Sequence, residues 1–222
     1  MSSRTTVYLA CAASLLIPLA GSANEPVPLT IRADVWVDNW FALYAGDELV
    51  KEDSVPFDTE RSFNSESFTF ETDPSAVLSI LIRDYMENDT GLEYIGSRRQ
   101  MSGDGGFIAQ FVDTETNSPV AISDESWRCL AIHQAPINRI CERSSNPEQD
   151  CEAIIQPEPD NWKEADFDDS AWPEAVVRTR QEVRPMGGFN QVTWNSEARL
   201  IWTADLETDN TVLCRFTISA PE

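Results

Sequence analysis

The residues of this chain best suited to meeting a ligand fall in LTIRADVWVDNWFALYAGDELV, residues 29–50. Its first half alternates, with Leu29, Ile31, Ala33, Val35 and Val37 on one face and Thr30, Arg32, Asp34, Trp36 and Asp38 on the other. That is the period of a half-buried strand. It sets the Trp36 indole among carboxylates on the polar face. An exposed indole stacks on the C–H face of a sugar ring, and neighbouring acids such as Asp34 accept hydrogen bonds from its hydroxyls. Trp40 and Tyr44, four residues apart on one face of the next strand, would extend the platform. Arg83 and Asp84, at the polar end of an apolar run, are a further candidate pair at a sandwich rim, or simply an ion pair. The competing reading is that a loop or a second sheet covers this face and the tryptophans, seven in the chain, belong to the core.

Catalytic readings narrow quickly. The chain has one histidine, His133, and no GxSxG elbow to place a serine nucleophile beside it. One histidine cannot build a histidine-rich zinc or copper site, although a mixed site with carboxylates is not excluded by count. A glycosidase needs two carboxyls at a defined separation, and the 38 acidic residues single out no pair. SGDGG, residues 102–106, reads as a flexible turn; it lacks the lysine and helix of a phosphate cradle. Asn88-Asp89-Thr90 fits a glycosylation sequon.

The elements that must position these residues begin after a leader. Residues 1–23 carry one positive charge at Arg4, an apolar stretch and small residues up to Ala23, the pattern of a secretory signal peptide. The apolar stretch falls short of the roughly 20 residues of a membrane-spanning helix, and no later segment is apolar enough to span. The expectation is an exported protein, periplasmic or extracellular, with residues 24–222 as one domain. With 16 basic against 38 acidic residues the net charge is −22, which repels nucleic acid and anionic membranes. Such acidity suits a structural calcium or a solvated surface without a ligand; no EF-hand loop or Asp-Gly calcium repeat is present.

Of the five cysteines, Cys11 lies in the leader, and the remaining four read as two disulfides in an oxidising compartment. Three pairings are open. Cys141 and Cys151 flank a polar segment that a local bridge would close, which leaves Cys129 with Cys214 on the inward face of TVLCRFTI. A loop bounded by cysteines is expected near residues 129–160.

The rest reads as short strands separated by turns. Gly46-Asp47 suits a two-residue hairpin turn, the glycine taking the positive φ. AVLSILIRDY is apolar on both faces, as a central strand is. SFTF, FIAQFVD, VAIS, NQVTW, ARLIW and NTVLCRFTI supply further strands, while INRICER and WKEADF offer at most short helices without a sustained apolar stripe. The fold class is all-β, two antiparallel sheets packed around one core.

Three segments together carry a resemblance. ADVWVDNWFALYAGDELV resembles an ADN…LYVNG hairpin, WKEADFDDSAWPEA a W…FDDSxW turn, and ARLIWTADLETDNTVLCRFTI an A.WIW…N..VYFR..F strand pair. They are similar to the galactose-binding-like β-sandwich, or jelly-roll, domains found as accessory modules of β-galactosidases and α-rhamnosidases and as lectin-like proteins. The resemblance implies a jelly roll and a non-catalytic module whose partner is a glycan or cell-surface polysaccharide. The alternatives are an envelope protein-interaction module on the same scaffold and a small carboxylate-dependent hydrolase. It also implies structural roles. Asp38 and Asn39 would bond free backbone groups where a strand bends, Asp168 and Asp169 would cap a turn, and Trp162, Phe167 and Trp172 would pack, the latter two plugging the edge of the core.

Overall fold

A computed structural model describes residues 27–59 and 61–219; the expected signal peptide lies outside the described residues. Among the described residues fourteen strands follow in chain order, beginning with β1 (Leu29–Asp38), β2 (Trp40–Ala45), β3 (Glu48–Glu52), β4 (Ser65–Thr72), β5 (Val77–Arg83), β6 (Leu92–Glu93) and β7 (Met101–Ser102). Then come β8 (Gly106–Asp113), β9 (Pro119–Ile122), β10 (Arg128–Gln134), β11 (Ile154–Ile155), β12 (Val176–Arg178), β13 (Leu200–Trp202) and β14 (Asp209–Thr217). One sheet has the order β12-β13-β8-β1-β4, with β9 also on β8, and the other β11-β10-β14-β5-β2-β3. Their strand pairs are antiparallel. The fold is all-β as expected, and β5 lies inside its sheet, as its double apolar face requires.

Alternation builds the core. Ile31, Ala33, Val35 and Val37 of β1 and Phe107, Ala109 and Phe111 of β8 meet Phe41 and Leu43 of β2, Leu78, Ile80 and Ile82 of β5, and Val212 and Phe216 of β14. Trp127 joins this core, stacked on Phe216 with ring centroids 3.8 Å apart. The hairpin turn between β2 and β3 forms at Gly46, whose φ of 57° needs no Cβ. Both disulfides form, Cys129–Cys214 between directly paired residues of β10 and β14, and Cys141–Cys151 across a local loop.

Both outer faces are covered as well. On the first sheet Trp36, Ile108 and Leu200 lie under Val183 and Phe189. These come from a short helix, Arg180–Val183, begun by a Thr179–Glu182 capping box, and from the 3-10 turn Gly187–Gln191. On the second, Trp40, Ala42, Leu81, Ile132 and Leu213 pack under Trp162, Trp172 and Phe167. These aromatic residues therefore cover a sheet face rather than plug an edge. Arg215 of β14, 2% exposed, nails that cover down: its Nε donates to Asp169 at 2.8 Å and its other nitrogens reach the carbonyls of Trp162, Glu164 and Phe167.

Two strand expectations change. NQVTW forms no strand, because the glycines before it start a 3-10 turn that seats Phe189 on Trp36. The first part of the expected cysteine-bounded loop is instead strand β10, whose apolar residues Leu130 and Ile132 have the second sheet's outer cover to pack against.

Candidate functional site

At one end of the sandwich four carboxyl groups come together from separate elements. Asp38 ends β1, Asp84 follows β5, Glu93 lies on β6, and Asp104 sits between β7 and β8. Asp38 is 4% exposed, Asp84 1% and Glu93 8%, with Asp104 half-buried. The backbone holds them there through the crossing from one sheet to the other. Asn39 accepts the Tyr85 N–H at 2.6 Å through Oδ1, donates through Nδ2 to the Ser62 carbonyl at 3.2 Å, and donates its own N–H to the Arg83 carbonyl. Asp84 N–H donates to the Asn210 carbonyl at 2.9 Å. The Asp-Asn pair thus divides: Asn39 bonds backbone groups at the bend, as expected, whereas Asp38 lines the cleft within the electrostatic reach of Asp104 and Glu93.

Above them runs the strap of residues 100–105. At Gly103 a Cβ would stand 1.8 Å from Asp84 Oδ2, so a glycine is needed for the strap to lie on the carboxyl. The strap is tied to the Cys141–Cys151 loop: Gln100 Nε2 donates to the carbonyls of Glu142 at 2.7 Å and Ser144 at 2.9 Å, and the Ser102 hydroxyl donates to the Glu142 carboxylate.

Neither carboxyl oxygen of Asp84 has a well-formed hydrogen bond; the Tyr85 N–H, which is given to Asn39 Oδ1, favours its charged form only slightly. Burial, reinforced by the charges of Asp38, Glu93 and Asp104, holds its pKa well above the usual carboxylate value. Asp38 is raised well above too, by burial and then by Asp104 and Glu93. Asp104 is raised by burial, with Arg184 opposing and Glu207 adding to it. Carboxyls this close in a poorly solvated setting do not all ionise together, and protons or cations must neutralise some of them.

The cluster opens into a cleft of about 370 Å³, within the range of small-molecule sites. Asp38, Asn39, Glu93 and Asp104 form its polar lining, with Phe63, Tyr94, Met101 and Met186 beside them and Arg61 and Arg99 in the wall. Tyr94 is half-buried, and the Arg99 guanidinium lies 4.2 Å from its ring centroid. Among the described residues no three His, Cys, Asp or Glu side chains group closely enough to hold a metal ion.

Comparison with protein-family models, curated proteins and solved structures finds no match. The reading of the cleft therefore rests on its own chemistry.

The platform expected from the strand pattern is not formed. Trp36 does point away from the core face, but it is wholly buried, its Nε1–H donating to the carbonyls of Phe63 at 3.2 Å and Met186 at 3.1 Å. Because the chain changes sheets at residues 38–39, Trp36 faces out of one sheet, while Trp40 and Tyr44 face out of the other. Trp40 is buried under Phe57, and Tyr44 packs edge-on to Trp162. Asp34 is buried and accepts from the Ser67 hydroxyl at 2.5 Å and from Gln110 Nε2 at 2.9 Å. Arg83 and Asp84 do not pair: Arg83 stacks outward on Trp40 and Phe57, 5.5 and 5.2 Å from the ring centroids, and Asp84 turns in.

Asp168 Oδ1 accepts the Ser170 N–H at 3.0 Å, the turn cap expected of it, while the Asp169 side chain goes to Arg215. His133 is buried on β10, 3.5 Å from the Asn210 amide and 4.0 Å from Asp89, and burial lowers its pKa. It does not line the cleft. Sequence reasoning missed Glu93, Tyr94 and Asp104. One signal pointed to Asp104, an aspartate set among glycines in SGDGG, where close backbone approach needs residues without side chains; none pointed to Glu93 or Tyr94.

Proposed function

We propose that this chain is an exported, non-catalytic glycan-binding β-sandwich module that binds through the carboxyl-lined cleft at the strand ends. The observation carrying this reading is the joint lining of one cleft by the half-buried Tyr94 ring and the carboxyls of Asp38, Glu93 and Asp104. Those groups supply a surface for a sugar's C–H face and acceptors for its hydroxyls. The resemblance of three sequence segments to galactose-binding-like domains supports it, as do the two disulfides, which suit an oxidising compartment.

A hydrolase would use the same carboxyls, but it needs one acid and one base whose pKa values are pushed apart. Burial and neighbouring carboxylates raise Asp38, Asp84 and Asp104 together, which singles out neither an acid nor a base among them. An interaction module draws support from a different place: Ile140, Ile154 and Ile155, exposed by 86%, 46% and 56%, lie beside the Cys141–Cys151 loop.

A glycan array probed with the oxidised protein tests the proposal. Binding to one glycan class that is lost in Tyr94→Ala, with the circular dichroism spectrum unchanged, is the expected result. Release of product from the bound glycan would move the reading to a hydrolase. Silence from folded protein on a well-sampled array would overturn glycan binding in favour of the interaction module.

A further inference from the structure

The second sheet ends in an open edge. β11 is its outermost strand, paired on one side only, with β10. The pairing runs past its two residues at both ends: the Gln156 N–H donates to the Ile132 carbonyl and the Ile137 N–H to the Glu152 carbonyl, each at 2.8 Å. In an antiparallel ladder successive residues turn their N–H and C=O groups to opposite sides. Residues 152, 154 and 156 therefore face the body of the sheet, while Ala153 and Ile155 turn theirs outward. Residues 152–158 are all exposed, so these outward groups meet solvent. Natural sheets blunt such edges with lysine, proline or a covering loop. This edge instead presents Ile154 and Ile155, 46% and 56% exposed, and proline enters only beyond it, at Pro157 and Pro159.

We infer that the edge of residues 152–156 is a docking site for a protein partner, which adds an extended basic segment as one further strand of the second sheet. Ala153 and Ile155, two residues apart, supply the main-chain bonds of strand addition, and the two isoleucines, on alternate faces, supply apolar contacts to the added side chains. Charge selects the occupant. Glu148, Asp150, Glu152, Glu158 and Asp160 flank the edge in the chain and are exposed, and residues 144–162 contain no lysine or arginine. Among the described residues none of these five carboxylates is in an ion pair. A second copy of this chain would set the same acids against each other, which is costly at an interface. A strand carrying lysine or arginine neutralises them, and the field of a chain with net charge −22 steers it in. None of residues 152–156 lines the carboxyl cleft, so the inference stands apart from the glycan reading.

Fluorescence anisotropy with the full oxidised chain and a labelled seven-residue peptide of alternating lysine and valine tests this, with glutamate in place of lysine as the control. The lysine peptide should bind saturably and at least about tenfold more tightly than the glutamate peptide. Ile155→Pro removes an outward N–H and breaks no bond to β10, so it should fold and weaken the lysine peptide at least about tenfold. If that variant does not fold, Glu152→Lys, at an exposed side chain, should weaken the same peptide about fivefold. No binding by folded wild-type protein, or equal binding of the two peptides, would overturn the inference. Full binding by folded Ile155→Pro would overturn strand addition and leave a charge contact alone. Dimerisation of the chain in sedimentation, lost in Ile155→Pro, would make a second copy the occupant and overturn the basic partner.

Discussion

Trp36 and Asp84 both stand outside the central core, and their surroundings assign them opposite effects on mutation. Trp36 fills a pocket between the first sheet and its cover, bonds two backbone carbonyls and meets Phe189 edge-on, ring centroids 5.6 Å apart. Trp36→Ala leaves those carbonyls unpaired and a cavity behind, so it should cost about 3–5 kcal/mol in urea unfolding. Ligand binding should weaken only through Phe63 and Met186, the cleft-wall residues whose carbonyls Trp36 holds, and not through loss of a direct contact. Asp84 has no well-formed hydrogen bond through its carboxyl, so Asp84→Asn makes the buried group permanently neutral at nearly unchanged shape and contact. At pH 7.5 and without ligand its midpoint of unfolding should rise. A fall would mean that an ordered partner already satisfies the carboxyl. The sequence shows which way both side chains point relative to the sheet, since alternation alone sets that. It does not show what lies beyond the sheet: the covers come from residues 180–191 and 162–172, far along the chain and without the period of a regular element.

At the scale of elements, the two disulfides hold different things. Cys129–Cys214 joins neighbouring strands and closes a separation of 85 residues, and in a chain-entropy account it contributes about 4.6 kcal/mol. Cys141–Cys151 closes only 10, for about 2.7 kcal/mol, but its loop supplies the carbonyls that hold Gln100 at the start of the strap. Replacing Cys129 and Cys214 together by serine should therefore lower global stability more, as read by denaturant unfolding. Replacing Cys141 and Cys151 should weaken ligand binding more and should speed amide hydrogen exchange in residues 100–105. Equal effects of the two pairs on binding would show that the strap does not depend on its loop. Arg215 gives a comparable test for the other cover. Arg215→Ala strands Asp169 and three carbonyls, should cost about 3 kcal/mol, and should expose Trp162 to a fluorescence quencher. The strands and cysteines that frame these elements were legible because period, turn chemistry and cysteine spacing are local signals. The cleft was not, because Asp38, Asp84, Glu93 and Asp104 meet only through the pairing of strands distant in sequence.

For the whole molecule, titration of the acid cluster sets how stability responds to pH. A carboxyl with a raised folded pKa binds more protons folded than unfolded between the two values. Its contribution is complete below the unfolded pKa and is lost as pH rises through the folded one. Asp38, Asp84 and Asp104 all have this sign. Self-repulsion of a chain with 38 acidic and 16 basic residues adds to it as pH climbs. Groups with depressed values oppose it: Asp168, held down by the Ser170 side chain and N–H, Glu182, by the Thr179 backbone and hydroxyl, and His133, kept neutral by burial, all withdraw stability as pH falls. The first two are exposed turn and cap carboxylates whose bonds water can replace, whereas the cluster is enclosed, so the cluster should dominate. The melting temperature should therefore rise as pH falls through the raised values of the cluster and turn down at lower pH, as His133 and the capping carboxylates protonate. Asp84→Asn should flatten the upper limb and leave the lower one in place. A wild-type melting temperature that instead rose steadily towards pH 8 would mean that the carboxyls are ionised and compensated in solution, by bound cations that a chelator or high salt would then remove.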